Sequence, residues 1–226
     1  MKNKAGNLVR SFSVILSLQF TFFSDLQSQA DTLLNSDQFL FPDFSVGIAR
    51  TKNGEKTVLN MNYNIVTEKM VFLQNNQIFD ITNPSIIDTV YIESRKFIPH
   101  GKVFLELVAS GKTQFLVQHT GSFKQPGRPA AYGGTSQVSS STYINNLKLG
   151  NDVFRMDNKP DVVIYYSPLS WIRKDYNFYP VTSRKSILAI YADRKTELRS
   201  FVNKMKFDPK NPDLVREVVE FYNNLP

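Results

Sequence analysis

The chain has 226 residues, with 27 Lys and Arg against 20 Asp and Glu, a formal charge of +7, two His and no Cys. Without cysteine there are no disulfides and no acylated lipoprotein cysteine, so the fold rests on its own apolar core. The positive charges are interspersed, with no dense basic block and no recognition motif, and nucleic acid is not an expected partner.

The N-terminus falls into three zones. MKNKAGNLVR carries Lys2, Lys4 and Arg10 with no acid, SFSVILSLQFTFF is mainly apolar, and SDLQSQA supplies the small side chains of Ser28 and Ala30. This is the order of a secretory signal peptide. The apolar run has thirteen residues and is broken by Gln19, whereas a spanning helix needs roughly twenty. Residues 1–30 are therefore predicted to be a signal peptide cleaved after Ala30. Residues 31–226 are predicted to be a single domain with 24 basic and 19 acidic residues, a net +5, and no transmembrane span. The expected location is the periplasm or the outer membrane, without a lipid anchor.

Residues 31–44, DTLLNSDQFLFPDF, read as a lead-in that lies across a sheet through Leu40, Phe41 and Phe44. From residue 45 short apolar runs alternate with turn dipeptides, the pattern of antiparallel strands. The clearest hairpin is SVGIART, then Lys52-Asn53-Gly54-Glu55, then KTVLNMN, because Asn-Gly accepts the positive φ angles of a tight turn. A second is VFLELVA, Ser110-Gly111, KTQFLVQH, and TEKMVFLQ, NQIFDI, DTVYIES and RKFIP lie between them. Ile87, Val90 and Ile92, with Phe104, Leu105, Leu107 and Val108, give more apolar positions than one buried face requires. Such a surplus suits a closed barrel or a groove for an apolar ligand or a partner strand, and equally a sheet buried on both sides with one face covered by the terminal helices.

Residues 123–143, FKQPGRPAAYGGTSQVSSSTY, are rich in Gly, Pro and Ser and read as a long loop. Composition favours a connector whose glycines only supply turns, while in a binding loop the same glycines would let backbone amides approach an anion. Arg128 offers charge and Tyr132 offers stacking beside Gly133 and Gly134, which makes these four the candidate ligand-binding residues. YINNLKLG reads as a strand, DVVIYYS as a strand covered on both faces, and SWIRKDYNFYPV as irregular. The period then becomes helical. Leu198, Phe201, Val202 and Met205 form one stripe, and Leu214, Val218, Phe221 and Leu225 another. Asn211 is a natural N-cap, with Pro212 at the first helical position and Asp213 at the positive end of the dipole. The fold class expected is α+β. An antiparallel meander over residues 45–149, rolled or barrel-like, precedes a C-terminal helical hairpin over residues 183–225.

NMNYNIVTEKMVF, DTVYIESRKFIP, RPAAYGGTSQVSSS and KSILAIYADRKTELRSFVNKMKFDPKNPDLVREVVEFYNN together resemble a family of exported proteins from Gram-negative bacteria with a Bacteroidetes-type envelope. The likeness spans residues 57–224. It implies an envelope location and the order of sheet then helices, and carries no assigned activity, cofactor or site residue.

No Gly-x-Ser-x-Gly, Gly-x-x-x-x-Gly-Lys or Gly-x-Gly-x-x-Gly motif occurs. His100 and His119 could meet across a sheet with Glu106 or Asp88 to bind zinc, but their spacing does not indicate it. Acids such as Glu93, Glu106 and Asp161 are scattered. Neither a catalytic residue, a metal nor a cofactor is assigned. The expected function is a non-enzymatic envelope binding or interaction module, its partner an envelope protein or an apolar or anionic envelope ligand. The alternatives are a hydrolase-type or metal-dependent enzyme, and an assembly partner of an outer-membrane complex.

Overall fold

The computed structural model describes residues 36–124, 128–129, 135–136 and 163–226. Residues 1–30, predicted to be a signal peptide, and the predicted cleavage after Ala30 lie outside the described residues, as do YINNLKLG and most of the Gly/Ser-rich loop.

Asn53-Gly54 turns the chain where the sequence predicts. Strands β1 (Ser45–Thr51) and β2 (Lys56–Asn64) pair with Ile48 opposite Val58, and Gly54 has φ +93°. Strands β3 (Lys69–Gln74) and β4 (Gln77–Asp80) follow through Asn75 and Asn76, both at positive φ. A 3-10 turn at Pro84–Ile86, capped by the Asn83 side chain, brings the chain back to β1. There β5 (Ile87–Ile92) pairs antiparallel with β1, and β6 (Arg95–His100), β7 (Val103–Ala109) and β8 (Gln114–Gln118) continue outward. The expected meander is thus present as two runs joined side by side at β1 and β5.

β9 (Gly121–Lys124) leaves the main sheet. It pairs with β12 (Val163–Tyr166) in a two-stranded ribbon, while β10 (Arg128–Pro129) pairs with β11 (Thr135–Ser136). The main sheet then gains β13 (Leu169–Lys174) against β8 and β14 (Asn177–Pro180) at the edge. Its order is β14-β13-β8-β7-β6-β5-β1-β2-β3-β4, and the ladder does not close.

Two readings are corrected here. SWIRKDYNFYPV is a regular hairpin, turned by Asp175 and Tyr176 at φ +51° and +65°. The turn uses the left-handed region without a glycine, and Asp175 followed by Asn177 is its only mark in the sequence. DVVIYYS is not covered on both faces, because Tyr165 and Tyr166 are exposed on the ribbon.

Three helices follow. Ser183 caps α1 (Arg184–Ile190) in a reciprocal arrangement with Ser186, and α2 (Lys195–Lys204) begins after a 3-10 turn at Ala192–Arg194. Asn211 caps α3 (Pro212–Asn223), accepting from Asp213 N at 3.0 Å, as the sequence predicts. The buried stripe of α3 is Val215, Val218, Val219 and Tyr222, rotated one residue from the predicted one. The reason is that α3 has two neighbours: this stripe packs in the core, while Phe221 stacks on Phe201 of α2 with ring centroids 4.2 Å apart. Lys174 ties the helices to β13, reaching Asp193 Oδ1 at 2.6 Å and Ile190 O at 3.3 Å.

Antiparallel partners share a face, so the register places both apolar clusters on one side of the sheet. The first holds Met61, Tyr63, Met70, Val90, Ile92, Phe97 and Phe104, with Phe41 from the lead-in. The Asn62 side chain fixes that lead-in by bonding Phe41 N and O. Leu40 packs against this cluster, and Phe44 lies edge-on to Phe39. The second cluster holds Phe115, Val117 and Ile172 under the helices.

Candidate functional site

Glu106 stands directly opposite Phe97 on β6 and Val117 on β8, at the seam between the two apolar clusters. Arg95 is two residues before Phe97 and His119 two after Val117, so period-two alternation brings all three to one face. A charge at this depth is tolerated when it is paired and hydrogen-bonded. Arg95 grips Glu106 with two bonds, Nε to Oε1 at 2.6 Å and Nη2 to Oε2 at 2.5 Å. The guanidinium also lies over the rings of Phe41 and Phe97, 5.0 and 5.7 Å from their centroids.

His119 Nε2 is 2.7 Å from Glu106 Oε2, and His119 Nδ1 is 2.5 Å from Tyr166 Oη. A carboxylate only accepts, so the 2.7 Å contact places the ring proton on Nε2; Arg95 Nη2, which also lies 3.0 Å from Nε2, then donates to the carboxylate rather than to the ring, and Nδ1 accepts from the tyrosine hydroxyl. The result is a directed chain. Tyr166 donates to His119, His119 donates to Glu106, and Arg95 closes the inner end.

The electrostatics agree with this direction. Burial alone would raise Glu106, but the bonds and charges of Arg95 and His119 overcome it and hold the carboxyl down at about 2. Burial pushes His119 below its ordinary value, opposed in part by Glu106, so the imidazole is neutral at pH 7. Burial raises Tyr166 to about 12, with Arg95 opposing and Glu106 adding to the shift.

Tyr63 packs beside this chain, stacked on Phe97 and edge-on to His119. It is fully buried, and its hydroxyl has no hydrogen-bond partner among the described residues. Burial raises its pKa, with Glu68 and then Tyr166 adding to the effect. Glu68, at φ +58°, accepts from Gln118 Nε2 at 2.5 Å, and Gln118 Oε1 accepts from Trp171 Nε1 at 2.9 Å.

Glu106 and His119, considered separately in the sequence, therefore converge. The two histidines do not. His100 lies on the opposite face, its ring 5.1 Å from Trp171 and 4.4 Å from Phe178, while Asp88 pairs with Arg50 at 3.4 Å. Among the described residues no three His, Asp or Glu side chains are grouped to hold a metal. Glu93 sits in the β5–β6 turn and accepts from Ser45 Oγ. Arg128 lies on β10 opposite Ser136, whereas Tyr132, Gly133, Gly134 and Asp161 lie outside the described residues.

Arg95, Tyr63 and Tyr166 were missed by sequence reasoning. For Arg95 and Glu106 a signal existed, since each takes the parity of a buried aromatic, Arg95-x-Phe97 and Phe104-x-Glu106. A charge at an inward position asks for a partner. Comparison with protein-family models, with curated proteins and with solved structures finds no match.

Proposed function

We propose that this chain is a non-enzymatic binding module of a bacterial envelope, exported by its N-terminal segment and related to the exported family it resembles. One observation carries the reading. The acid and base of the buried chain have their protein partners inside it, both ring nitrogens and both carboxylate oxygens, and Tyr166, 50 % exposed, is its outlet to solvent. With its proton directed inward, Tyr166 Oη turns acceptor lone pairs outward from a fixed position, which suits recognition. The same ribbon supports the loop: Tyr166 pairs with Gly121, and β9 leads directly to residues 125–127 and Arg128.

In this reading the ligand is an anionic or partly apolar envelope component held between Tyr166 and Arg128, Tyr132, Gly133 and Gly134. The sheet is rolled around the first apolar cluster. Support comes from Gly121 N, which donates to Ile65 O at 2.7 Å, and from the Glu68–Gln118 bond, both linking the β2–β3 turn to the end of β8. The Phe201–Phe221 stack supports α2 and α3 as a helical hairpin.

The test is calorimetric titration of residues 31–226 with the lipid-free anionic glycan released from lipopolysaccharide. Binding is expected, weakened about tenfold by Arg128→Ala with Tyr132→Ala at unchanged melting temperature, the scale of one lost charge-assisted hydrogen bond. Unchanged binding in that variant removes the loop from the site, and absence of binding refutes the anionic-glycan reading.

An enzymatic reading has one specific support, since Tyr166, His119 and Glu106 stand in the order of nucleophile, base and orienting acid. Against it, burial weakens the base and keeps the phenol protonated. Turnover of an activated acetyl ester that disappears in His119→Ala would favour the enzyme.

A further inference from the structure

The face of the sheet opposite the two clusters carries an apolar patch at β1, β2 and β5. Ile48 stands between Val58 and Tyr91 as a direct cross-strand neighbour of both, and Val46 follows on the same face of β1. Val46 is 66 % and Val58 64 % exposed, and Ile48 and Tyr91 are each more than a third exposed. Basic side chains border the patch. Lys96 is the cross-strand neighbour of Tyr91, its Nζ 5.9 Å over the ring, and Lys56 stands opposite Arg50 in the next row. Arg50 is paired with Asp88, while Lys56 and Lys96 are in no ion pair among the described residues. Glu55 and Glu93 lie in the turns at the two ends of these strands, outside the rows.

The area and the charge together select the occupant. The four apolar side chains expose roughly 300–400 Å², within the range of a functional patch and well below the ~800 Å² per partner of a stable protein interface. A lipid surface has no such threshold, because shallow apolar insertion and attraction to anionic headgroups add along one plane. The chain lacks the cysteine on which a lipoprotein anchor is built, so any attachment to a membrane rests on such a surface or on a protein.

We propose that this face of β1, β2 and β5, extended by Lys96 of β6, rests on an anionic lipid bilayer, with Val46 and Val58 at the headgroup boundary and Lys56 and Lys96 against lipid phosphates. The contact is separate from the Tyr166 site and goes beyond the ligand assigned there.

Co-sedimentation of residues 31–226 with vesicles containing phosphatidylglycerol tests it, with phosphatidylcholine vesicles as control. Binding is expected on the anionic vesicles alone and should fall as salt shortens the Debye length. Lys56→Gln should weaken it roughly fivefold and Lys56→Glu more, while Val58→Asp should abolish it. These positions are exposed, so melting temperatures should hold, and Val58→Ser provides a milder variant if they do not. Arg128→Ala with Tyr132→Ala should leave vesicle binding intact, which separates this contact from the loop. Absence of sedimentation at low salt, equal binding by Lys56→Glu, or a dimer that Val58→Asp converts to monomer without lipid dependence would each overturn the proposal.

Discussion

Replacing Glu106 by Gln removes the charge that Arg95 grips and His119 faces, while nearly preserving volume. The folded carboxyl is held from 4.5 down to about 2, and at about 1.4 kcal/mol per pH unit this corresponds to about 3 kcal/mol at neutral pH. Loss of one partner of a buried pair costs about 3–5 kcal/mol. The lower end applies here, because the Arg95 side chain is 29 % exposed and water softens the loss. The sign follows from a depressed pKa. The contribution is complete above pH 4.5 and is lost as pH falls through 2, so the gap between wild type and Glu106→Gln should shrink to about half at pH 3. His119, also depressed, destabilises the fold as pH drops below 6.5, and more so in Glu106→Gln, which lacks the carboxylate that partly opposes the shift, so the shrinkage is read against the gap at pH 4.5. Urea unfolding followed by the single tryptophan, Trp171, measures the gap, because its indole is bonded to Gln118 beside the seam. A gap under about 1 kcal/mol at pH 7, or one that stays constant down to pH 3, would refute the charge-based account.

Two further outcomes follow from packing. Tyr63→Phe should be neutral or stabilising by about 1 kcal/mol in the same assay, since it deletes a buried hydroxyl that lacks a partner; a loss of that size would show that the hydroxyl is satisfied in solution. Gly47→Ala should destabilise by about 2 kcal/mol and lower the melting temperature by about 4–8 °C, because a Cβ there would sit 2.8 Å from Tyr91 O and 2.9 Å from Met61 Sδ. An unchanged melt would mean that β1 and β5 separate more easily than their register implies.

The candidate site was legible in part. Glu106 and His119 could be named as titratable residues on alternating strands, and inward parity could have added Arg95. Their contact could not be derived, because it depends on which residue of β8 faces Glu106. That register shifts between Leu107 and Ala109, where an irregularity interrupts the alternation. Tyr166 comes from a strand 47 residues beyond His119 in sequence, delivered by the β9–β12 pairing. No local pattern encodes such a pairing.

Local chemistry settled local structure. Gly54 determined a hairpin because its φ of +93° is one that glycine adopts freely, and Asn211-Pro212-Asp213 determined where α3 begins because those side chains satisfy a helix start. Alternation determined which residues of each strand share a face. The tertiary structure decided which strands are neighbours, so that β5 lies against β1 and β13 against β8. It also decided that α3 presents Val215 and Val219 to the core once α2 had taken Phe221. Periodicity defines a face of an element, but what that face meets is a property of the assembled whole. A chain from Arg95 through buried Glu106 and His119 to half-exposed Tyr166 exists only when four strands arrive at one seam.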